Sequence, residues 1–128
     1  MNKATRRSTR QAIVAGLCVA VILSPLPALA HAHLDHAMPA PNSVQGQPPK
    51  EVTIWFTEAL EAKFSTIVVQ DAKGVAMQTG AATLAPGNTA QLRVPLKPLS
   101  PGSYKVIWRV LSVDTHRSKG EFSFKVGP

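Results

Sequence analysis

The chain has 128 residues, enough for one domain with a single hydrophobic core, and its one cysteine cannot form a disulfide within the chain. Fourteen Lys and Arg residues against seven Asp and Glu give a formal net charge of +7 at pH 7. These cations are spread along the sequence without interleaved aromatic residues, so no nucleic-acid-binding surface is indicated.

The first 30 residues have the order of features of a secretory signal peptide. Basic residues come first, and the uncharged apolar run 12–23 follows. Pro25 and Pro27 then precede the small-x-small triplet Ala28-Leu29-Ala30, after which we expect cleavage. The apolar run is shorter than the roughly 20 residues that a membrane-spanning helix needs. The prediction is a cleaved leader at 1–30 and one secreted domain at 31–128.

Removal of this leader changes the charge of the protein. It takes away four of the fourteen basic residues and no acidic residue, which leaves a net charge of +3 and no cysteine. Arg6-Arg7 is a twin arginine, but Thr9 and Arg10 lie where that export signal usually has apolar residues. The general secretory route is therefore favoured over the twin-arginine route.

An irregular, turn-rich connection lies at 39–49, near the new N-terminus. Beyond it, apolar and polar residues alternate, which is typical of strands with one buried face. Val52, Ile54 and Phe56 form one face of the first such segment. In the whole domain, only 58–64 suggests a helical turn.

Further strand candidates follow at short intervals. Residues 67–71 alternate and lead through a turn at 71–74 into another extended run from Val75. Trp108 falls within the candidate strand 103–113. An aromatic residue on the inward face of a central strand is usually part of the core, so we assign Trp108 to the core. The remaining candidates are 92–96, 103–113, which is the longest, and 122–126. Six or seven short strands with frequent turns predict an all-β sandwich.

Three of the four histidines follow the predicted cleavage site, at His31, His33 and His36. Cleavage after Ala30 would give His31 a free α-amine, and the amine and the ring Nδ1 can chelate one metal ion. An α-amine has an ordinary pKa of about 8 and an imidazole one of about 6.5, so both lose a proton readily near neutral pH. Cu²⁺ favours nitrogen ligands in tetragonal geometry and binds most tightly among the first-row ions.

A terminal histidine is half of a copper site, and the sequence offers two ways to complete it. The local way uses the amine, two deprotonated backbone amides and the ring of His33, the third residue of the mature chain. The tertiary way uses Asp114 and His116, which would point to the same side if that stretch is extended. Each element also has an ordinary explanation, because a histidine in a turn is often solvated and an aspartate at a strand end often caps a turn.

Several motifs of the mature chain occur together. They are HAHL from His31, WRVLSVDTH at 108–116, GEFSFKV at 120–126, SPGSYKV at 100–106 and VTIWF at 52–56. In this combination they resemble the CopC family of periplasmic copper-binding proteins over essentially the whole mature chain. The resemblance implies a seven-stranded Greek-key β-sandwich, immunoglobulin-like or cupredoxin-like, that binds one Cu²⁺ and acts in copper resistance or homeostasis.

The resemblance also implies the residues of the site. His31 would bind through its amine and imidazole, and Asp114 and His116 would complete the coordination, with His33 beside the site rather than in it. The implied protein is a periplasmic copper carrier or buffer with a CopD-like inner-membrane partner. We expect a monomer that binds no nucleic acid and has no catalytic residues.

Two alternatives bear on this prediction. Some family members hold a second site, for Cu⁺, in a methionine-rich stretch. This mature chain has only Met38 and Met77, far apart in the sequence, so no separate Cu⁺ site is expected.

The second alternative is a copper oxidase, because lytic polysaccharide monooxygenases also chelate copper with a terminal histidine. A carboxylate of Asp114 bound directly to the ion would favour Cu²⁺ and occupy a coordination position that oxygen chemistry needs, so the carrier is favoured over the oxidase.

Overall fold

The computed structural model describes residues 31–128, and the leader predicted at 1–30 lies outside the described residues. The described part contains a single 3₁₀ turn at Ala62–Phe64 and no helix that is long and apolar enough to cross a membrane. Its strands are β1 (Leu34–Met38), β2 (Val44–Gln45), β3 (Glu51–Phe56), β4 (Thr66–Gln70), β5 (Thr83–Ala85), β6 (Asn88–Pro95), β7 (Gly102–Leu111) and β8 (Arg117–Val126).

The eight strands form two four-stranded sheets. The first sheet has the order β1-β3-β6-β5 and the second has the order β2-β8-β7-β4. Neighbours pair antiparallel, except that β2 runs parallel to β8. β3 lies beside β6 and β4 beside β7, which joins strands that are not consecutive, as Greek-key connections do. The predicted β-sandwich is confirmed, with eight strands instead of seven. β2, within the connection 39–49, and β5 lie where no strand was predicted.

The core lies between the sheets and is built from the alternate residues that the sequence pattern indicates. The indole of Trp108 packs edge to face on Phe56, with ring centroids 5.1 Å apart. Gly120 lies opposite Trp108 in the β7–β8 ladder, and a Cβ at that position would come within 2.5 Å of the indole. A glycine is therefore required for the ring to fit. The buried residues of β7 are Tyr104, Val106, Trp108 and Val110.

The extended run expected from Val75 does not form a strand. Ala76 makes an isolated bridge to Gln70 at the end of β4, whereas Gln78 makes one to Leu96 just after β6. The segment therefore passes from the second sheet to the first, and neither sheet gives it a continuous partner. The prediction of a strand here was wrong because alternation alone does not supply a neighbouring strand.

Candidate metal centre

His31 lies at the end of the sandwich where β1 begins, and the residues that follow it are firmly held. Ala32 is completely buried in the core. The backbone N–H of His33 donates to Thr57 Oγ1 at 2.9 Å, and the N–H of Thr57 donates to the carbonyl of His33 at 2.9 Å. Because both residues after it are fixed to the sandwich, His31 is held beside the loop between β7 and β8.

That loop, 112–116, is a tight turn. The N–H of Thr115 donates to the carbonyl of Ser112 at 2.9 Å, and the N–H of Ser112 donates to the carbonyl of His116 at 3.0 Å. Thr115 has a φ of 72°, a conformation that β-branched residues rarely adopt. We expected an extended stretch at the end of a strand reaching Val113. Instead β7 ends at Leu111, and the turn brings the side chains of the motif together.

Asp114 and His116 are in direct contact within this turn. Asp114 Oδ1 lies 3.2 Å from His116 Nδ1, and both side chains are a little under half exposed. The Nδ1 of His116 therefore faces the carboxylate, which leaves Nε2 free to bind an ion. A metal-binding histidine usually has its second nitrogen held in this way.

The buried Ser112 contacts and orients the Asp114–His116 pair. Its side chain is completely buried, and its hydroxyl donates a short hydrogen bond to Asp114 Oδ1 and accepts one from the backbone N–H of His116 at 3.3 Å. The bond from Ser112 lowers the pKa of Asp114 below its ordinary value; desolvation opposes this, and contacts with His116 lower it further. These contacts run through Oδ1 and leave the other carboxylate oxygen, Oδ2, available to bind an ion.

The ring of His31 lies beside that of His116, with centroids 5.1 Å apart and planes at 75°. A metal–nitrogen bond of about 2.0 Å places an ion about 3.2 Å from an imidazole centroid, so two rings on one ion have centroids about 4.5 to 6.4 Å apart. The spacing of His31 and His116 falls within this range. The ring centroids of His31 and His33 are 6.5 Å apart, just beyond this range.

The three predicted ligands are close to one another but do not yet converge on one point. Within residues 31–128, no three His, Cys, Asp or Glu side chains form a ready-made metal cluster. Asp114 contacts His116, and His116 neighbours His31, so changes of side-chain rotamer in the exposed Asp114–His116 pair as well as in His31 are required for all three to meet. Exposed side chains change rotamer within nanoseconds, so this requirement is a small one.

The other candidate metal ligands lie elsewhere. His36 stacks on Trp55 with centroids 4.3 Å apart and places Nδ1 2.8 Å from Asp35 Oδ2. Met38 is exposed on the same strand, whereas Met77 packs against the core. The expectation that the chain has no separate Cu⁺ site remains a prediction.

The sequence alone did not indicate a role for Ser112. The motif contains it two positions before Asp114, and a serine followed by a turn often bonds to nearby backbone. Its burial, and hence its position below the carboxylate, follows from the turn geometry and could not be read from the spacing.

Comparison with known proteins shows which family this chain resembles. The family model described as the CopC domain matches residues 34–127. Protein YobA of Escherichia coli K12 is 37% identical over 123 residues, covering 95% of this chain and 97% of that protein. Copper resistance protein C of Escherichia coli is 33% identical over 121 residues, covering 89% and 93%.

Two further matches concern the fold and a longer protein. The crystal structure of CopC from Methylosinus trichosporium OB3b superposes with a TM-score of 0.72 at 31% identity, covering 77% of this chain and 95% of that one. The copper transport protein CutJ of Bacillus subtilis is 29% identical over 112 residues, which are 87% of this chain and 21% of CutJ. A domain similar to this chain thus makes up about a fifth of a larger protein.

Proposed function

Because the chain belongs to the CopC family, we propose that it is a periplasmic carrier or buffer that binds one Cu²⁺ ion. The observation that carries this proposal is the position of His31, whose ring lies beside the Asp114–His116 pair although the two histidines are 85 positions apart in the sequence. Two imidazoles and a carboxylate at one end of a stable sandwich are a donor set that Cu²⁺ favours.

The proposed ligands are the amine and Nδ1 of His31, an oxygen of Asp114 and Nε2 of His116. Asp114 supports this assignment because the contacts that hold its Oδ1 leave Oδ2 available. A carboxylate with a lowered pKa also stays ionised under mildly acidic conditions, so it needs no deprotonation when the ion arrives. The sandwich fixes both strand ends before binding, which reduces the ordering that copper must impose.

The local chelate through His33 is disfavoured by the same structure. It requires the backbone nitrogens of Ala32 and His33 to lose their protons and bind the ion. The nitrogen of His33 already donates to Thr57, and Ala32 is completely buried. Forming that chelate would break a hydrogen bond and draw Ala32 out of the core. We therefore place His33 beside the site and not among the ligands.

The leader predicted at 1–30 supports export to the periplasm, and its removal would create the amine of His31. The match to part of the copper transport protein CutJ supports transfer of copper to a membrane partner, which the family resemblance suggests is CopD-like. A carrier is favoured over an oxidase because the proposed carboxylate ligand stabilises Cu²⁺. Peroxide production by the copper-loaded protein with ascorbate would instead support the oxidase.

The experiment compares two forms of the protein, one beginning at His31 and one that keeps Ala30 in front of it. The form beginning at His31 should bind one equivalent of Cu²⁺ tightly in a competition titration. The form with Ala30 should bind far more weakly, because its His31 nitrogen is a peptide nitrogen. Equal affinity of the two forms would contradict ligation by the amine.

A further inference from the structure

The outer surface of the second sheet is a basic face, which we define as Lys105, Arg109, Arg117, Lys119 and Lys125. These residues alternate along β7 and β8 with residues that point toward the core, and all five are exposed. They are scattered along the sequence, but the register of the two strands gathers half of the ten basic residues of 31–128 on one surface.

The five cations on this face exceed the acidic residues of its two strands. Arg109 lies directly opposite Lys119 in the ladder, and such like-charged pairs are destabilising. Glu121 is the one acidic residue of β7 and β8. It lies on the same face, opposite Ile107 and diagonal to Lys105 and Arg109, so it offsets one of the five positive charges. The ion pairs found within residues 31–128 join histidine to aspartate and involve no Lys or Arg. An anionic partner would relieve this repulsion.

The first sheet has no comparable surface. On its outer side, Glu51 of β3 and Arg93 of β6 balance each other in charge. The excess of positive charge is therefore a property of one face and not of the whole domain. A protein with this asymmetry approaches a negatively charged partner in a defined orientation.

An exposed aromatic ring lies at one end of the basic face. Phe64 is 54% exposed and lines a shallow groove of about 320 Å³ together with Arg109, Arg117 and Lys119. Lys63 places its Nζ 6.0 Å from the centre of the Phe64 ring. Cations around an exposed apolar ring fit a surface that has anionic groups above an apolar layer, which is the chemistry of a phospholipid bilayer.

We propose that the basic face docks on an anionic phospholipid surface, with Phe64 entering the headgroup layer. β7 and β8 each have ten residues, so the cations extend over about 30 Å of sheet, which suits a broad anionic surface better than a small acidic site. Arg117 follows His116 directly, so docking would place the candidate metal centre at the edge of the membrane contact. The docking itself does not require copper.

The test measures sedimentation of the copper-free protein beginning at His31, which contains the complete sandwich, with vesicles of phosphatidylcholine and phosphatidylglycerol. Each cation near an anionic bilayer strengthens partitioning by about fivefold, so the triple variant Lys105→Gln/Arg109→Gln/Lys119→Gln should bind about 100-fold more weakly. The matched control, Lys50→Gln/Arg93→Gln/Lys97→Gln, loses the same charge from positions outside the basic face and should lose much less binding. Binding should vanish with pure phosphatidylcholine and weaken as salt is added.

Phe64→Ala should weaken binding to the anionic vesicles several-fold, whereas Val75→Ala, which removes an exposed apolar residue elsewhere, should not. Failure of the unaltered protein to bind these vesicles, or equal losses in the two triple variants, would overturn the proposal. Retention on a polyglutamate resin without binding to vesicles would indicate an acidic protein partner and would also overturn it.

Discussion

Replacement of Ser112 by alanine should weaken Cu²⁺ binding about 10- to 100-fold, or about 1.4 to 2.8 kcal/mol, although Ser112 is not a proposed ligand. The change removes one oxygen atom that holds both Asp114 Oδ1 and the backbone N–H of His116. Without it, the carboxylate loses the contact that fixes its direction. The 10- to 100-fold range is typical of residues that orient metal ligands.

The variant should also be less stable, because Ser112 is completely buried and its hydroxyl satisfies polar groups in the turn. A buried polar group left without a partner costs about 1 to 3 kcal/mol. For a domain of this size, that corresponds to a fall in thermal midpoint of about 4 to 20 °C. Copper affinity must therefore be measured well below the midpoint of the variant, by competition titration with a chelator of known affinity.

Ser118→Ala is the matched control. The Ser118 hydroxyl is also buried but has no hydrogen-bond partner within residues 31–128, and it lies two positions beyond His116. Its removal should leave copper affinity unchanged. In the copper-free protein, Ser112→Ala should additionally raise the pKa of Asp114 toward its ordinary value, which NMR titration of the carboxyl carbon can measure. If both alanine variants bind copper like the unaltered protein, the orienting role of Ser112 is refuted.

Three further predictions concern the ion itself. Copper affinity should fall as the pH is lowered from neutrality, because protons compete for the nitrogen ligands. The lowered pKa of Asp114 means that its carboxylate is protonated only at more acidic pH. A flat pH profile in competition titrations would argue against nitrogen ligation. Asp114→Asn should weaken binding less than His116→Ala in the same titration, since two histidines remain; the reverse order would make the carboxylate the dominant ligand. Cu²⁺ at 100 times its Kd should stabilise the fold by about 2.7 kcal/mol and raise the thermal midpoint by about 10 to 20 °C in calorimetry, whereas no shift would mean that the native state is not the form that binds.

Much of the fold was predictable from alternation. The pattern of β7 indicated which of its residues are buried, and the structure confirms Tyr104, Val106, Trp108 and Val110. The segment from Val75 has a similar pattern but no strand, because its residues pair with two different sheets. The sequence records which side chains are apolar, whereas strand formation also depends on the neighbour that the tertiary structure provides.

The candidate site was predictable in part. Spacing alone allowed either His33 or the pair Asp114 and His116 to complete the copper site, and the choice between them came from the family resemblance. The structure adds a physical argument, because the bond from His33 to Thr57 and the burial of Ala32 oppose the local chelate. The hydrogen bond and the burial both depend on how the start of β1 packs beside the end of β3, so they could not be predicted from the sequence.

The copper affinities of His116→Ala and His33→Ala, each in protein beginning at His31, test the tertiary site most directly. Electron paramagnetic resonance of the same samples reports whether the coordination has changed. We expect His116→Ala to lose more than about 100-fold in affinity, since a ligand is removed and not merely an orienting neighbour, and to change the spectrum. His33→Ala should retain nearly full affinity and the original spectrum. A damaging His33→Ala change together with a silent His116→Ala change would contradict the tertiary site and establish the local chelate.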